Sequence, residues 1–150
     1  MFAIDTNILV YAHNKASVFN HQAAAFLQRV MNERDENGNF FVCIPAQVLM
    51  EFIHVVTWQR LEKPLSLAEA IQIVEDYIET GIEVIYQQET QITTFLALLS
   101  NIKTRRKVFD VALAATLKDN GVSGLFTVNV NDFKGFDFLQ VVNPLREEST

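Results

Sequence analysis

The chain alternates short apolar runs with longer segments in which apolar residues recur every three or four positions. Short apolar runs suit strands buried on both faces, whereas the longer period is typical of amphipathic helices. The predicted strands are residues 2–4, 40–44, 83–86, 125–128 and 138–142. The predicted helices are residues 8–12, 20–34, 45–59, 66–80, 89–102 and 108–118. Strands that alternate with helices form a parallel sheet, so the predicted fold is a small α/β sandwich with helices on both faces.

Polar residues mark the starts of several predicted helices. Thr6 or Asn7 suits the N-cap of the first helix, because a short polar side chain accepts a hydrogen bond from the free N–H groups of a first turn. Pro45 suits the first turn of the third helix. Ser66 and Glu69 form the S-x-x-E pattern of a capping box at the start of the fourth.

Size and composition describe one globular domain. The chain has 150 residues, 49% hydrophobic and 20% charged, which is enough for residues 1–150 to bury a single core. The single cysteine, Cys43, lies in an apolar run and is predicted to be an inert core thiol. The first residues lack the basic segment of a signal peptide, and no apolar stretch is long enough to span a bilayer. We therefore expect a cytoplasmic protein that does not contact membranes.

Four acidic residues lie within or next to apolar segments, where a charged side chain is unexpected. Asp5 ends the first predicted strand, Glu51 lies mid-helix among large apolar residues, Asp110 opens an apolar helix, and Asp132 follows the fourth strand. Taken singly, Asp5 and Asp110 suit helix caps and Asp132 suits a turn, but Glu51 caps nothing. Because the carboxyl ends of parallel strands meet at one edge of a sheet, we expect all four acids to lie together there.

Clustered carboxylates are the ligands that Mg²⁺ and Mn²⁺ prefer. Without cations, such like charges would repel one another and raise their pKa values. Two such ions about 4 Å apart activate a water molecule and stabilise the leaving oxygen of a phosphodiester. The pattern therefore predicts metal-dependent phosphodiester hydrolysis, with no serine, cysteine or histidine nucleophile. The catalytic metal ligands would be Asp5, Glu51, Asp110 and Asp132.

Taken in order, these residues resemble the PIN-domain nucleases, and most closely the VapC-type toxins of bacterial toxin–antitoxin pairs. The resemblance rests on Asp5-Thr6-Asn7 after a short strand, Glu51-Phe52 within a helix, Asp110 at the head of DVALAAT, and Thr127-x-Asn129-x-x-Asp132-Phe133. It covers nearly the whole chain. It implies a PIN-like three-layer sandwich, Mg²⁺ or Mn²⁺ as cofactor, and single-stranded RNA as substrate. It also implies a homodimer and, for a toxin, a cognate antitoxin protein that blocks the site.

This chain also matches family positions that lie beside the acidic ligands and support them. Thr6, Asn7 and Thr127 match positions that support the site by hydrogen bonding. Where many members have a further acid, this chain has Asn129, which joins the supporting residues and leaves Asp132 as the fourth carboxylate. An amide oxygen is a weaker ligand than a carboxylate, so this difference bears on whether one metal ion binds or two.

Two other enzyme classes fit the sequence less well. Glu51 and His54 have the E-x-x-H spacing of di-iron bundles, but neither His13 nor His21 has a Glu three residues before it to form the required second motif. An aspartyl-phosphate phosphatase would need a second Asp where this chain has Asn7. We therefore predict a structural role for His54 and surface or capping roles for His13 and His21. A catalytically inactive PIN-like module that binds RNA or a protein is the alternative to a nuclease.

A basic cluster precedes Asp110. Lys103, Arg105, Arg106 and Lys107 are predicted either to steer RNA phosphates toward the acids or to form an ordinary solvated loop. The formal net charge of −6 argues against a protein that grips nucleic acid through a generally basic surface. It does not exclude a nuclease whose acids hold cations.

Overall fold

The computed structural model describes residues 1–146 and contains a five-stranded sheet. The strands are β1 Phe2–Ile4, β2 Val42–Pro45, β3 Glu83–Ile85, β4 Gly124–Phe126 and β5 Gln140–Val142. They lie in the order β3-β2-β1-β4-β5, and each pairs with its neighbours in parallel. The first strand of the chain is thus the central strand of the sheet.

Helices connect these strands. Their bounds are α1 Thr6–His13, α2 Asn20–Asn32, α3 Ala46–Val56, α4 Leu67–Glu79, α5 Gln91–Leu99, α6 Val108–Asp119 and α7 Val130–Phe133, with a 3-10 turn at Arg105–Lys107. From β1 to β3 the strands advance in one direction, and the chain then crosses back to β4. Right-handed crossovers therefore place α1 to α4 on one face and α5 and α6 on the other. The helix contacts fall into the same two groups, since α1 packs against α2 and α3, α3 against α4, and α5 against α6. The predicted α/β sandwich with helices on both faces is confirmed.

The centre of the sheet is fully buried. Ala3, Ile4, Cys43 and Leu125 are 0% exposed. As predicted, Cys43 is a core thiol, and burial raises its pKa to about 12. Among the described residues, no helix is long and apolar enough to cross a membrane.

Gly124 is required by the register of the central strands. Phe2 pairs with Gly124, and the Phe2 ring stacks on that of Phe126 with ring centroids 4.5 Å apart. A Cβ atom at position 124 would lie 2.6 Å from the Phe2 ring. Any larger residue there would therefore displace the ring that lies beside the central strand.

Several element boundaries differ from the prediction. β2 begins at Val42 rather than at residue 40, α3 ends at Val56 rather than at residue 59, and β4 ends at Phe126 rather than at residue 128. The predicted capping box of Ser66 and Glu69 is confirmed, with both reciprocal hydrogen bonds 3.1 Å long.

Two local features differ from the first expectation. The N-cap of α1 is Asp5, as the alternative for that residue had it, and not Thr6 or Asn7, because the extended backbone of β1 continues through Asp5 and its carboxylate accepts a hydrogen bond from the backbone N–H of Thr6. Asp132, which taken singly suits a turn, lies in α7, a one-turn helix. The sequence offered no repeated apolar spacing there, because four residues are too few to display a helical period.

Candidate active site

Asp5 lies at the carboxyl end of the central strand and is only 8% exposed. Its Oδ1 accepts a hydrogen bond of 2.7 Å from the backbone N–H of Thr6. Its Oδ2 accepts one of 2.7 Å from the hydroxyl of Thr127 and one of 3.5 Å from the Asn7 amide. Burial raises the pKa of Asp5 in spite of the Thr127 and Thr6 hydrogen bonds, which act in the opposite direction. Asp5 is therefore both a helix cap and a buried acid held in one orientation.

Thr127 and Asn7 join the two chain segments on either side of Asp5. The Thr127 hydroxyl donates its only hydrogen to Asp5 and accepts hydrogen bonds of 3.1 Å from the Asn7 amide and from the backbone N–H of Asn129. The Asn7 side-chain oxygen accepts a hydrogen bond of 3.3 Å from the backbone N–H of Val128. Thr127 is fully buried. The start of α1 and the end of β4 are thereby fastened to the same carboxylate.

Glu51 is exposed, so the apolar surroundings predicted for it were wrong. Helix α3 turns Val48, Leu49 and Phe52 into the core and directs Glu51 outward. Two hydrogen bonds nevertheless hold the carboxylate: Oε2 accepts one of 2.8 Å from the Thr6 hydroxyl, and Oε1 accepts one of 3.1 Å from the Gln47 amide. Gln47 was missed in the sequence, although its spacing of four residues from Glu51 on a helix was a usable signal.

Asp110 and Asp132 stand in the first turns of α6 and α7, and both are half-buried. The pKa of Asp110 is raised to about 6, first by burial and then by the charges of Asp132 and Asp5, with a smaller contribution from Glu51. Lys107 acts in the opposite direction but does not offset the rise. The pKa of Asp110 therefore reflects burial first and the neighbouring acids second.

All four predicted acids therefore lie close enough to influence one another. The charges of Glu51 and Asp132 also raise the pKa of Asp5. The parallel sheet explains this convergence: β1 ends at this edge, and α3, α6 and α7 begin at it. Within residues 1–146, however, no three acidic, histidine or cysteine side chains stand close enough to form a ready-made ion site. The charges of the four acids therefore interact, but in the described residues their carboxylates are not arranged around one common ion position.

The remaining predicted site residues lie at the periphery. The side chain of Asn129 is exposed and makes no capping hydrogen bond at the start of α7. Lys103 and Arg105 are exposed and Lys107 is half-buried at the start of α6, whereas the Arg106 side chain lies outside the described part of the structure. The basic cluster is thus continuous in sequence with the helix that carries Asp110.

The roles predicted for two histidines were wrong. His54 is exposed on α3 rather than buried as a structural residue. His13 is the structural histidine: its Nε2 is 2.7 Å from the Tyr77 hydroxyl, and its ring packs edge-on against Phe52 and Tyr77. Burial lowers its pKa. His21 is exposed, as predicted.

Comparison with known proteins identifies the family. The sequence profile of the PIN domain matches residues 2–139, which is most of the chain. The chain belongs to the PIN domain family. The PIN fold accounts for the strand order and for the edge at which the acids meet.

Among curated proteins, this PIN domain is similar to Ribonuclease VapC24 of Mycobacterium tuberculosis, with strain CDC 1551 / Oshkosh as one source. The two are 29% identical over 150 residues, which cover 99% of each chain. Among solved structures, it is similar to a toxin-antitoxin complex from Klebsiella pneumoniae, with a TM-score of 0.64 and 19% identity over 96% of this chain and 98% of that one. It is also similar to Mycobacterium tuberculosis VapC20, a Sarcin-Ricin loop cleaving toxin, with a TM-score of 0.61 and 13% identity over 92% of both chains. At these identities the structural likeness establishes the fold.

Proposed function

We propose that this PIN domain, residues 1–150, is a metal-dependent endoribonuclease that hydrolyses phosphodiester bonds of single-stranded RNA. We propose further that it is the toxin of a toxin–antitoxin pair. Support comes from the likeness to Ribonuclease VapC24 over the whole chain and from the neighbouring toxin structures. The observation that carries the proposal is that four acids lie close enough for their charges to interact: Asp5, Glu51, Asp110 and Asp132.

The donor set fits Mg²⁺ or Mn²⁺. All four acids offer carboxylate oxygens, which hard divalent cations prefer, and a bound cation would relieve the repulsion between acids that contributes to the raised pKa values of Asp5 and Asp110. Mg²⁺ commonly takes one or two protein carboxylates and completes its shell with water and substrate phosphate oxygens. A cation that needs only one or two protein ligands agrees with the four acids as described, which interact but do not form a three-ligand site within residues 1–146. Such a cation supplies Lewis-acid stabilisation of the phosphate and activates water.

The chain's own residues orient the carboxylates. Thr127 and Asn7 hold Asp5, and Thr6 holds Glu51, so these acids would bind a cation without reorganising. Asp110 has a pKa of about 6 and therefore can hold a proton on its carboxyl group near neutral pH when no cation is present. Asn129 would support the end of β4 through its backbone N–H, which donates to the Thr127 hydroxyl.

The basic cluster would bind the RNA backbone. Lys103, Arg105, Arg106 and Lys107 lie directly before α6, so phosphates attracted to them would pass close to Asp110. This steering would offset the repulsion expected between RNA and a chain of formal net charge −6.

We also propose two protein partners, a second copy of the chain and a cognate antitoxin. Helix α5 supports the homodimer: none of its residues is buried in the single chain, although it is largely apolar, and Ile92 and Leu96 are 63% and 56% exposed. A contiguous apolar surface of this kind is typical of an interface. The antitoxin is proposed from the toxin–antitoxin likeness. Because the proposed substrate is RNA, we propose that the protein acts in the cytoplasm.

A catalytically inactive PIN-like module that binds RNA is the second candidate. The observation that favours it is Asn129, which stands where many members of the family have a further acid. Incubation with unstructured RNA, with and without Mg²⁺ or Mn²⁺, separates the two. The comparison should include Asp5→Asn, Asp110→Asn and, as a matched control, Asp137→Asn, which changes an exposed acid on the connection into β5.

The nuclease proposal expects cleavage that requires the metal, disappears in the first two variants and persists in the control. RNA binding without cleavage would identify the inactive module instead. Metal-independent cleavage that is equal in all variants would indicate a contaminating ribonuclease and overturn the proposal.

A further inference from the structure

A cavity of about 310 Å³ opens beside Glu51 at the carboxyl edge of the sheet. Its walls come from the start of α3, the end of β3 and the residues after it, and one residue of α6. The lining residues are Ala46, Gln47, Met50, Ile85, Tyr86, Gln87 and Thr116. Ligands of open α/β sheets bind outside this edge.

One side chain joins this cavity to the acids. Gln47 lines the cavity, and its amide nitrogen donates the 3.1 Å hydrogen bond to Glu51. A carboxylate can only accept hydrogen bonds, so the nitrogen of the amide must face Glu51 and the oxygen must face away. That oxygen, Oε1, is buried and has no hydrogen-bond partner in the described part of the structure. An unpaired buried acceptor costs free energy and calls for a donor.

The lining has the chemistry of a base-binding site rather than of a phosphate-binding site. None of the lining residues is charged, so nothing there attracts a phosphate group. Tyr86 and Met50 are 61% and 66% exposed and present an aromatic ring and a thioether. Single-stranded RNA is recognised by stacking of splayed bases on aromatic side chains and by hydrogen bonds to base edges.

We propose that this cavity binds the nucleobase next to the cleaved phosphodiester, with Tyr86 and Met50 contacting its face and the Gln47 side chain shifting so that its buried Oε1 accepts a hydrogen bond from an N–H group of the base. This inference rests on the proposed function, because it places the base relative to a phosphate held at the acids. Gln47 then links base recognition to the orientation of Glu51. The cavity would make the enzyme selective for the base at one position of the RNA.

Cleavage of RNA oligonucleotides that carry a single abasic ribose, moved one position at a time, tests this placement. For the wild type, we expect one position beside the cut at which loss of the base slows cleavage about tenfold, as is typical of a stacked base. Tyr86→Ala should be about tenfold slower on intact RNA and should lose nothing further at that position. Trp58→Ala, which truncates another exposed aromatic residue, is the matched control and should behave like the wild type. Equal abasic losses in Tyr86→Ala and the wild type would overturn the proposal.

A binding measurement keeps the inference separate from the proposed activity. Methyl resonances of the three methionines, Met1, Met31 and Met50, are followed by NMR while adenosine, cytidine, guanosine or uridine is added to the metal-free protein. We expect at least one nucleoside to shift the Met50 methyl in the wild type but not in Tyr86→Ala. Met31, which lines a different cavity, should not move.

The two failures can be distinguished. Nucleoside binding at Met50 without RNA cleavage would leave the cavity assigned and overturn the nuclease. Cleavage with no Met50 response to any nucleoside would overturn the cavity assignment alone. If the Met50 methyl shift depends on protein concentration and not on nucleoside concentration, this surface would be assigned to contact between copies of the chain. That result would likewise overturn the cavity assignment.

Discussion

Asp5 and Glu51 are held in opposite ways. Asp5, with Asn7 and Thr127, forms a buried half of the candidate site in which three hydrogen bonds also fasten the start of α1 to the end of β4. Glu51 belongs to an exposed half, where the side chains of Thr6 and Gln47 hold it. The buried half contributes to folding as well as to the candidate site. Substitutions in the exposed half should have little effect on the fold. We therefore expect changes in the buried half to alter both stability and activity, and changes in the exposed half to alter mainly activity.

The largest effect is expected for Asp5→Asn. Asparagine keeps one oxygen that can cap α1 and removes a charge whose pKa burial has raised, but its NH2 group cannot accept the hydrogen bonds of Thr127 and Asn7 that Oδ2 accepts. These effects on stability oppose one another, so the metal-free melting temperature should change little, while metal-dependent cleavage falls by about 10²–10³-fold, the loss typical of removing one preorganised electrostatic contact. Thermal melts in chelator and initial cleavage rates measure the two effects. A large loss of stability in chelator would make Asp5 a structural cap first and would weaken the nuclease proposal.

Thr127→Val tests the buried half directly. Valine has nearly the same shape but lacks the hydroxyl that donates to Asp5 and accepts from Asn7. We expect the free energy of unfolding to fall by about 1–3 kcal/mol, because buried polar groups lose their partner. Urea titration of the metal-free protein measures this. If Thr6→Val, in the exposed half, lost just as much, the two halves would not differ in the way described.

The pH dependence of stability tests Asp110. Its pKa is raised from 3.8 to about 6 in the folded protein. Ionisation therefore costs more in the folded than in the unfolded state, and the stability present below pH 3.8 is lost as the pH rises through about 6. In chelator, the melting temperature of the wild type should fall relative to that of Asp110→Asn across this interval by a few degrees, roughly 2–4 °C for each kcal/mol. A parallel pH dependence in both proteins would show that Asp110 does not titrate in this range.

Thr6→Val is expected to have the smallest effect. It removes one exposed hydrogen bond to Glu51, so the free energy of unfolding should change by less than about 0.5 kcal/mol. Cleavage should slow by about two- to tenfold, the value of one such bond. Thr6→Ser keeps the hydroxyl and should restore the rate. Failure of serine to restore it would mean that the methyl group of Thr6, rather than its hydrogen bond, is what matters.

Much of the fold was predictable because its signals are local. The buried strands, the apolar faces of α2 and α4, and the capping box at Ser66 appear in short windows of sequence. The boundary errors at α3 and β4 arise because an apolar residue, Trp58 or Val128, lies two positions beyond the last regular residue of each element. Helix α7 was missed because one turn has no period to detect.

The convergence of the four acids was predictable, but their environments were not. The four acids could be named because charged residues next to apolar runs stand out along the chain. Their surroundings depend on which face of a helix meets the sheet, and for Glu51 and His54 that face is the outer one. His13 was misjudged for the same reason, since its partner Tyr77 is distant in sequence.

By itself, the sequence determined the alternation of strands and helices and the positions of Asp5, Glu51, Asp110 and Asp132 along it, because local hydrogen bonding and apolar spacing specify both. Only the tertiary structure decided which acid is buried and which is exposed. It also decided that Thr127 binds Asp5 across 122 positions of the chain, and that Gln47 stands between Glu51 and a cavity. These contacts depend on the order of the strands in the sheet, which brings distant segments to one edge and which no short window of sequence contains.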